Sequence, residues 1–166
     1  MQSQLQSVEN LPRGIRPRKF VFVLLPKFTL LSFTSALECL RISNRMANQV
    51  LYSWELVSEN GAPITCSAEI EFSIDHDLGE LNRDDTIMLC GGENIRAATT
   101  KRLLSWLRRE SRRGLAIAGL CTGAFPMAKA GLLEGKRATI HWENQDSFAE
   151  EFESVELTKS VFIIEG

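Results

Sequence analysis

The chain has 166 residues, with 19 Lys and Arg against 21 Asp and Glu, so its formal charge is −2 with His neutral. That length supports one domain whose core needs no disulfide or metal staple, and a 44% hydrophobic content excludes a disordered or collagen-like chain. A charge this close to zero also excludes a segment built mainly to neutralise nucleic-acid phosphates or to dock on anionic lipid, since both need a basic excess.

Residues 1–18 read as a polar arm without an apolar stretch of signal-peptide length, which makes the cytoplasm the expected compartment. No run approaches the roughly 18 apolar residues of a membrane span. Lys19 to Leu25 is then a continuous apolar, β-prone run ended by Pro26, the pattern of a strand covered on both faces, as in a parallel sheet. Over residues 30–46, Leu30, Leu31, Phe33, Leu37, Leu40 and Ile42 recur at mostly three- and four-residue spacings and predict a helix with those side chains on its buried face. Val50 to Val57 alternates as a half-covered strand, Asn60 to Pro63 is turn chemistry, and a short strand is expected around 69–74.

Thr86 to Cys90 is a second buried-strand run, closed by Gly91-Gly92. One helix is expected after it, capped by Asn94, striped with Leu103, Leu104 and Leu107, and stopped by Gly114. Arg108, Arg109, Arg112 and Arg113 near its end suit the negative helix terminus and read as a solvated helix end, with a nucleic-acid or partner patch as the alternative. Leu115 to Leu120 reads as a third central strand. It is followed at once by Cys121-Thr122-Gly123-Ala124 and a helix from about Phe125 to Leu133, in whose first turn Pro126 is tolerated. Gly135-Lys136 turns into a strand over 137–140, residues 141–152 are helical, and two strand-like pieces at 155–158 and 161–164 suggest a hairpin. A doubly wound sheet ends awkwardly at that point, so the chain reads as a segment cut from a longer polypeptide.

The four cysteines, Cys39, Cys66, Cys90 and Cys121, are 27, 24 and 31 positions apart and form no CxxC or zinc pattern. Cys39, Cys66 and Cys90 have apolar or small neighbours and read as buried small hydrophobes. Cys121 differs, because a tight strand-to-helix turn lifts a side chain out of the sheet at the carboxyl end of a strand, where open α/β sheets place their ligands. Backbone N–H groups there favour an anion or oxyanion, and the Gly91-Gly92 loop is a candidate second wall. Such a crevice suits passive binding and nucleophilic catalysis equally, and catalysis needs a base with a group to orient it. His76, between two aspartates, reads as a solvated loop residue. His141 can face the crevice or be fixed by Trp142 and Glu143, and Trp142 can stack on a cation or simply pack.

The stretches LLPKFTLLSFTSALECLRI, TIMLCGGENI and GLAIAGLCTGAFPMAKAGLLEGKRATIHWE resemble the ThiJ/PfpI-type, class I glutamine amidotransferase-like domain, in the version found at the N-terminus of AraC/XylS-type transcriptional regulators. The resemblance covers about 18–166. It implies a flavodoxin-like three-layer α/β/α sandwich with a mainly parallel central sheet and Cys121 at a nucleophile elbow. The hydrolase and chaperone branches carry an acidic residue early in the first helix, where this chain has Ser32. The protease-like branch carries a histidine directly after the cysteine, where this chain has Thr122. The resemblance therefore implies no catalytic residues and no cofactor, with Cys121 and His141 as the pair an enzyme would use. It implies instead a ligand-sensing domain over 19–166, cut short at its C-terminal edge, that binds a small-molecule effector of amino acid or quaternary amine type through Ser32, Gly91, Gly92, Cys121, Thr122, His141 and Trp142. Such a domain forms a homodimer and reaches DNA only through a C-terminal helix-turn-helix domain that this chain does not include. The alternative reading is a small cysteine-dependent hydrolase, amidase or glyoxalase.

Overall fold

The structure is a computed structural model, and it describes residues 16–164. The polar arm expected over 1–18 lies outside the described residues except at its end, where Arg18 already opens the first strand. Four strands build the central sheet: β1 (Arg18–Leu24), β2 (Tyr52–Val57), β5 (Thr86–Cys90) and β6 (Ala116–Leu120). Their order is β2-β1-β5-β6 and every neighbouring pair is parallel, with Phe22 beside Met88 and Met88 beside Ala118. Side chains alternate along β1 because successive strand residues point to opposite faces. Val21 and Val23 join Ile87 and Leu89 in one core layer, and Phe22 and Leu24 join Cys90 in the other.

The Phe22 layer is covered by α1 (Leu30–Ala47) and by a two-stranded antiparallel hairpin, β3 (Ile64–Thr65) with β4 (Glu71–Phe72). Phe33 of α1 sits edge-on to Phe22, Phe28 and Phe72, with ring centroids 5.3–5.7 Å apart. Such pairs add to the area they bury. The Val21 layer is covered by α2 (Ile95–Ala98), α3 (Lys101–Arg112), α4 (Ala124–Lys129) and α5 (Gln145–Glu151), with Leu103, Trp106 and Leu107 of α3 buried against it. β7 (Arg137–Ala138) pairs in parallel with β8 (Glu156–Leu157), the 3-10 turn Trp142–Asn144 and α5 forming the crossover between them. Helices on both faces of a parallel sheet are the three-layer arrangement that the resemblance implied.

Several local expectations are corrected. Phe33 is the buried residue of α1, while Leu31 is 75% and Ile42 46% exposed, so the apolar stripe read from the sequence is split between core and solvent. Cys39, on the same helix, is exposed; Cys66 and Cys90 are buried. The single helix expected after Gly92 is two, because Thr100 takes an extended conformation and its hydroxyl accepts from the Leu103 N–H at 3.1 Å. That bond makes Thr100 the cap of α3. Asn94 adopts φ +51 and makes no capping bond. Arg112 is exposed at the end of α3, as the solvated reading expects, but the other three arginines of the cluster bond to protein groups. Arg109 and Arg113 hold the wholly buried Glu110 carboxylate at 2.7 and 2.6 Å, Arg113 also donates to Leu81 O, and Arg108 donates to Ala130 O and Lys129 O.

β6 is an edge strand of the described sheet rather than a central one, and the expected hairpin at 155–164 is absent among the described residues. β8 pairs with β7 through the α5 crossover instead, leaving Val161, Phe162 and Ile164 exposed. His76 is anchored rather than solvated: its Nε2 lies 2.9 Å from Glu55 Oε2, its Nδ1 lies 2.9 Å from Asp77 O, and its backbone bridges Val57.

Candidate functional site

The carboxyl ends of β1, β5 and β6 converge on one cleft. After β6 the chain reverses into α4 through Cys121, which holds φ +56, a left-handed conformation uncommon for a residue with a side chain. This turn is possible because its glycines let backbones touch. A Cβ on Gly123 would run into Leu89 O, and one on Gly92 would land on Lys27 O, so neither position tolerates a side chain without moving main chain. Gly92 in turn forms an antiparallel bridge with Phe28, bringing the loop after β5 against the loop after β1. The Thr122 hydroxyl, nearly buried, donates to Gly92 O at 2.9 Å and ties the third loop to the second.

The resulting cleft has a volume of about 790 Å³. Its floor is Thr29, Gly92, Cys121 and Thr122; its walls are Ser67, the segment 93–97, His141, Glu143 and Asn144. The Thr29 hydroxyl donates to Cys121 Sγ at 3.2 Å. The His141 backbone N–H donates to Cys121 O at 3.3 Å, while its ring Nδ1 stands 3.7 Å from Glu143 Oε2 and its ring lies tilted against Trp142. Arg96 is held over the Phe125 ring at 4.9 Å and paired with Glu151, which Lys129 also contacts at 2.8 Å. Hydrogen bonds from Lys129 and Arg96 keep the Glu151 carboxyl below the usual carboxylate range despite its partial burial. Cys90, directly behind Gly91, is a different kind of thiol: burial pushes it far up, so it stays protonated and inert.

Of the residues singled out in the sequence, the structure brings Gly92, Cys121, Thr122 and His141 together around the cleft. Gly91 lies behind the cleft, where a Cβ would meet Thr122 Oγ1 at 2.5 Å, and its role is to let β5 and the Cys121 turn pack. Ser32 donates to Thr29 O at 3.0 Å and borders a second groove, of about 790 Å³, along β6 and Val161 to Ile164. Trp142 is 71% exposed outside the cleft lining. The residue that reaches the sulfur is thus Thr29, one position before α1, through a neutral hydroxyl, while Ser32 donates to the Thr29 carbonyl. Sequence reasoning missed it because 92 positions separate the partners; its helix-cap placement was the only local signal.

Residues 18–161 match the DJ-1/PfpI family. The chain belongs to that family. It is 38% identical over 147 residues to the HTH-type transcriptional regulator CdhR of Pseudomonas aeruginosa, a match covering 89% of this chain and 44% of the regulator. The HTH-type transcriptional regulator GbdR, also from Pseudomonas aeruginosa, is 31% identical over 154 residues, covering 93% of this chain and 42% of that protein. The chain therefore spans less than half the length of these curated relatives. Among solved structures, an AraC family transcriptional regulator from Pseudomonas putida superposes with a TM-score of 0.73 at 24% identity, covering 89% of this chain and 80% of that one. This likeness is one of fold.

Proposed function

We propose that the chain is the effector-sensing and dimerising part of an AraC-family transcriptional regulator, and that its Cys121 cleft binds a small metabolite to control DNA binding by a C-terminal helix-turn-helix region. The observation that carries this reading is that relatives aligned over nine-tenths of the chain are named HTH-type regulators. The cleft's chemistry supports it. The hydrogen bond to the Cys121 sulfur comes from a hydroxyl rather than a carboxylate. The lining mixes hydroxyls and backbone groups with the carboxylates of Glu93 and Glu143 on its rim. A ligand with an anionic end would lie toward Thr122 and Gly92 and place a cationic end toward those carboxylates, which fits an amino acid or a quaternary amine. Such a ligand alters DNA binding only through unequal affinity for two arrangements of the protein.

The test is a thermal-shift screen of amino acids and quaternary amines against the unaltered chain and Cys121→Ala. Ligand binding to the native state raises the midpoint by mass action, by about 2.7 kcal/mol of apparent stability at 100 times Kd. The sensing reading expects the same ligand to stabilise both proteins. Turnover of a ligand by the unaltered chain, lost in Cys121→Ala, would replace it with the cysteine-dependent enzyme reading.

A further inference from the structure

Among the described residues that line the Cys121 cleft, Arg96 carries the only permanent positive charge; the other charged side chains are the carboxylates of Glu93 and Glu143, beside the titratable His141. Its guanidinium is held on two sides. One face of the plane rests on the Phe125 ring, 4.9 Å from the centroid, and Nη1 pairs with a carboxylate oxygen of Glu151. A stack uses the face of a guanidinium and leaves its edges free, and the group's five N–H donors lie in one rigid plane. The Nε–Nη2 edge, with two parallel donors, is therefore left over on a side chain that is still 59% exposed. Two parallel N–H donors match the two oxygens of a carboxylate.

The positive charge is left over as well. Glu151 is shared, with Oε2 facing Arg96 and Oε1 lying 2.8 Å from Lys129 Nζ. Bonds from Lys129 and Arg96 hold its carboxyl below the usual range, so it stays ionised near neutral pH. One negative charge between two positive ones leaves the trio at +1. Lys129 alone would balance Glu151, so Arg96 adds charge to the cleft rather than cancelling it. The ring that carries Arg96 also stands on the side of the cleft floor where an anionic end fits: the Phe125 N–H donates to Thr122 O at 3.0 Å, and the Thr122 hydroxyl donates to Gly92 O.

We infer that Arg96 is the carboxylate-recognising residue of the cleft and that the ligand is a zwitterion, its carboxylate on the Nε–Nη2 edge of Arg96 and its cationic end toward Glu93 and Glu143. This rests on the sensing reading and narrows its ligand class. A quaternary amine without a carboxylate leaves Arg96 unmatched, and a dianion meets Glu93 and Glu143 as like charges, so selection works by repulsion as well as attraction. Glu151 and Lys129 do not touch the ligand. They are positioning residues that set the aim and the net charge of Arg96.

Two measurements test the assignment, with the melting midpoint of each ligand-free variant verifying folding. The first needs no effector. Sodium acetate is titrated into the chain carrying isotope-labelled arginine, against sodium chloride at equal ionic strength, and the Arg96 Nε–H signal, assigned by its loss in Arg96→Lys, is followed by NMR. A saturable shift with acetate and none with chloride is expected. In the second, the thermal-shift screen is run in pairs, each amino acid beside its amide and each betaine beside the matching amino alcohol. The acid should stabilise the chain and its partner should not, and affinity for the acid should fall about tenfold or more in Arg96→Gln, less in Arg96→Lys, and not at all in Arg102→Gln, whose arginine pairs with Asp77 away from the cleft. Glu151→Gln separates recognition from a structural tie. It raises the trio from +1 to +2 and keeps an oxygen for Nη1, so the acid should bind about two- to fivefold more tightly; an Arg96 that served only to join α2 to α5 would be loosened, and binding would weaken. No saturable Arg96 shift with acetate, equal stabilisation by acid and amide, or weaker binding in Glu151→Gln would each overturn the assignment. An acetate shift at Arg96 with no effector stabilising the chain would count against sensing and leave the carboxylate site standing. An effector bound with full affinity by Arg96→Gln would leave sensing standing and remove the site.

Discussion

Glu110 offers a test of how the Val21 layer of the core is held. Its side chain is 0% exposed, yet it is a carboxylate, and its two oxygens are engaged by Arg109 and Arg113, whose own side chains remain 49% and 25% exposed. The asymmetry decides the outcome of mutation. Removing Arg113 leaves one oxygen of a buried carboxylate without a partner and also frees Leu81 O, which Arg113 satisfies at 2.8 Å. Breaking a buried pair costs about 3–5 kcal/mol when one charge is stranded; Arg109 remains, so about 2–3 kcal/mol is expected for Arg113→Ala. Replacing Glu110 by Met removes the only member that water cannot reach, while both arginines can rehydrate. Substituting a buried ionic group by an apolar one of similar volume is often neutral, so Glu110→Met should cost less than about 1 kcal/mol. In a domain of this size each kcal/mol moves the melting midpoint by about 2–4 °C, giving a fall of roughly 4–12 °C for Arg113→Ala and under about 4 °C for Glu110→Met. Thermal and urea denaturation of the two variants, at unchanged m-value, checks the order. A Glu110→Met protein as destabilised as Arg113→Ala would refute the reasoning.

Two further outcomes follow from the same kind of accounting. Thr100→Ala removes the hydroxyl that caps α3 and should cost about 1 kcal/mol in urea denaturation, with Thr100→Ser retaining most of it. Burial opposes protonation of His76, but its bonds to Glu55 and the Asp77 carbonyl outweigh that and raise its pKa above the usual 6.5, while His76 and Lys19 overcome burial to hold Glu55 below 4.5. The histidine's contribution is therefore complete below about pH 6.5 and lost as pH rises through its folded value; that of Glu55 is present above about pH 4.5 and lost on acidification. The stability difference between the unaltered chain and His76→Ala, measured by urea denaturation across pH, should be largest at about pH 5–6.5 and fade toward pH 9; a flat difference would show that His76 stabilises by packing alone.

What the sequence made legible is what local pattern encodes. β1, β5 and β6 are continuous apolar runs bounded by Pro26, Gly91 and Cys121-Thr122-Gly123, and they fold within a residue or so of where those runs lie. β4 lies within the short strand expected around 69–74, but its partner β3 has no signature of its own and forms because Ile64 meets Phe72 over Phe28 and Phe33. The break between α2 and α3 did have a signal, Thr100 followed three residues later by an apolar run, but the arginine-rich stripe around it has helical period on both sides and masks the interruption. Cys39 and Ile42 were misplaced for a related reason: periodicity reports that a helix has an apolar face, not which of two apolar faces the core takes.

The Cys121 turn shows where packing and function pull apart. Gly91, Gly119 and Gly123 are required by close backbone contacts, so the Leu120-Cys121-Thr122-Gly123 segment would need to look much as it does even in a protein with no ligand. Cys121 itself is not so required. At φ +56 a side chain costs about 1–2 kcal/mol relative to glycine, and glycine returns roughly 0.5–1 kcal/mol of that through the greater freedom of the unfolded chain. Cys121→Gly should therefore fold with stability within about 1 kcal/mol of the unaltered chain, the lost contact with Thr29 offsetting the relieved strain. A side chain at a strained position, with no stability to show for it, points to what it touches in the cleft. Effector stabilisation in the thermal-shift screen should then fall in Cys121→Gly, where the cleft floor is missing, and persist in Cys121→Ala, where it is only shortened. Equal binding by all three proteins would mean that the turn, and not the residue on it, is what the cleft uses.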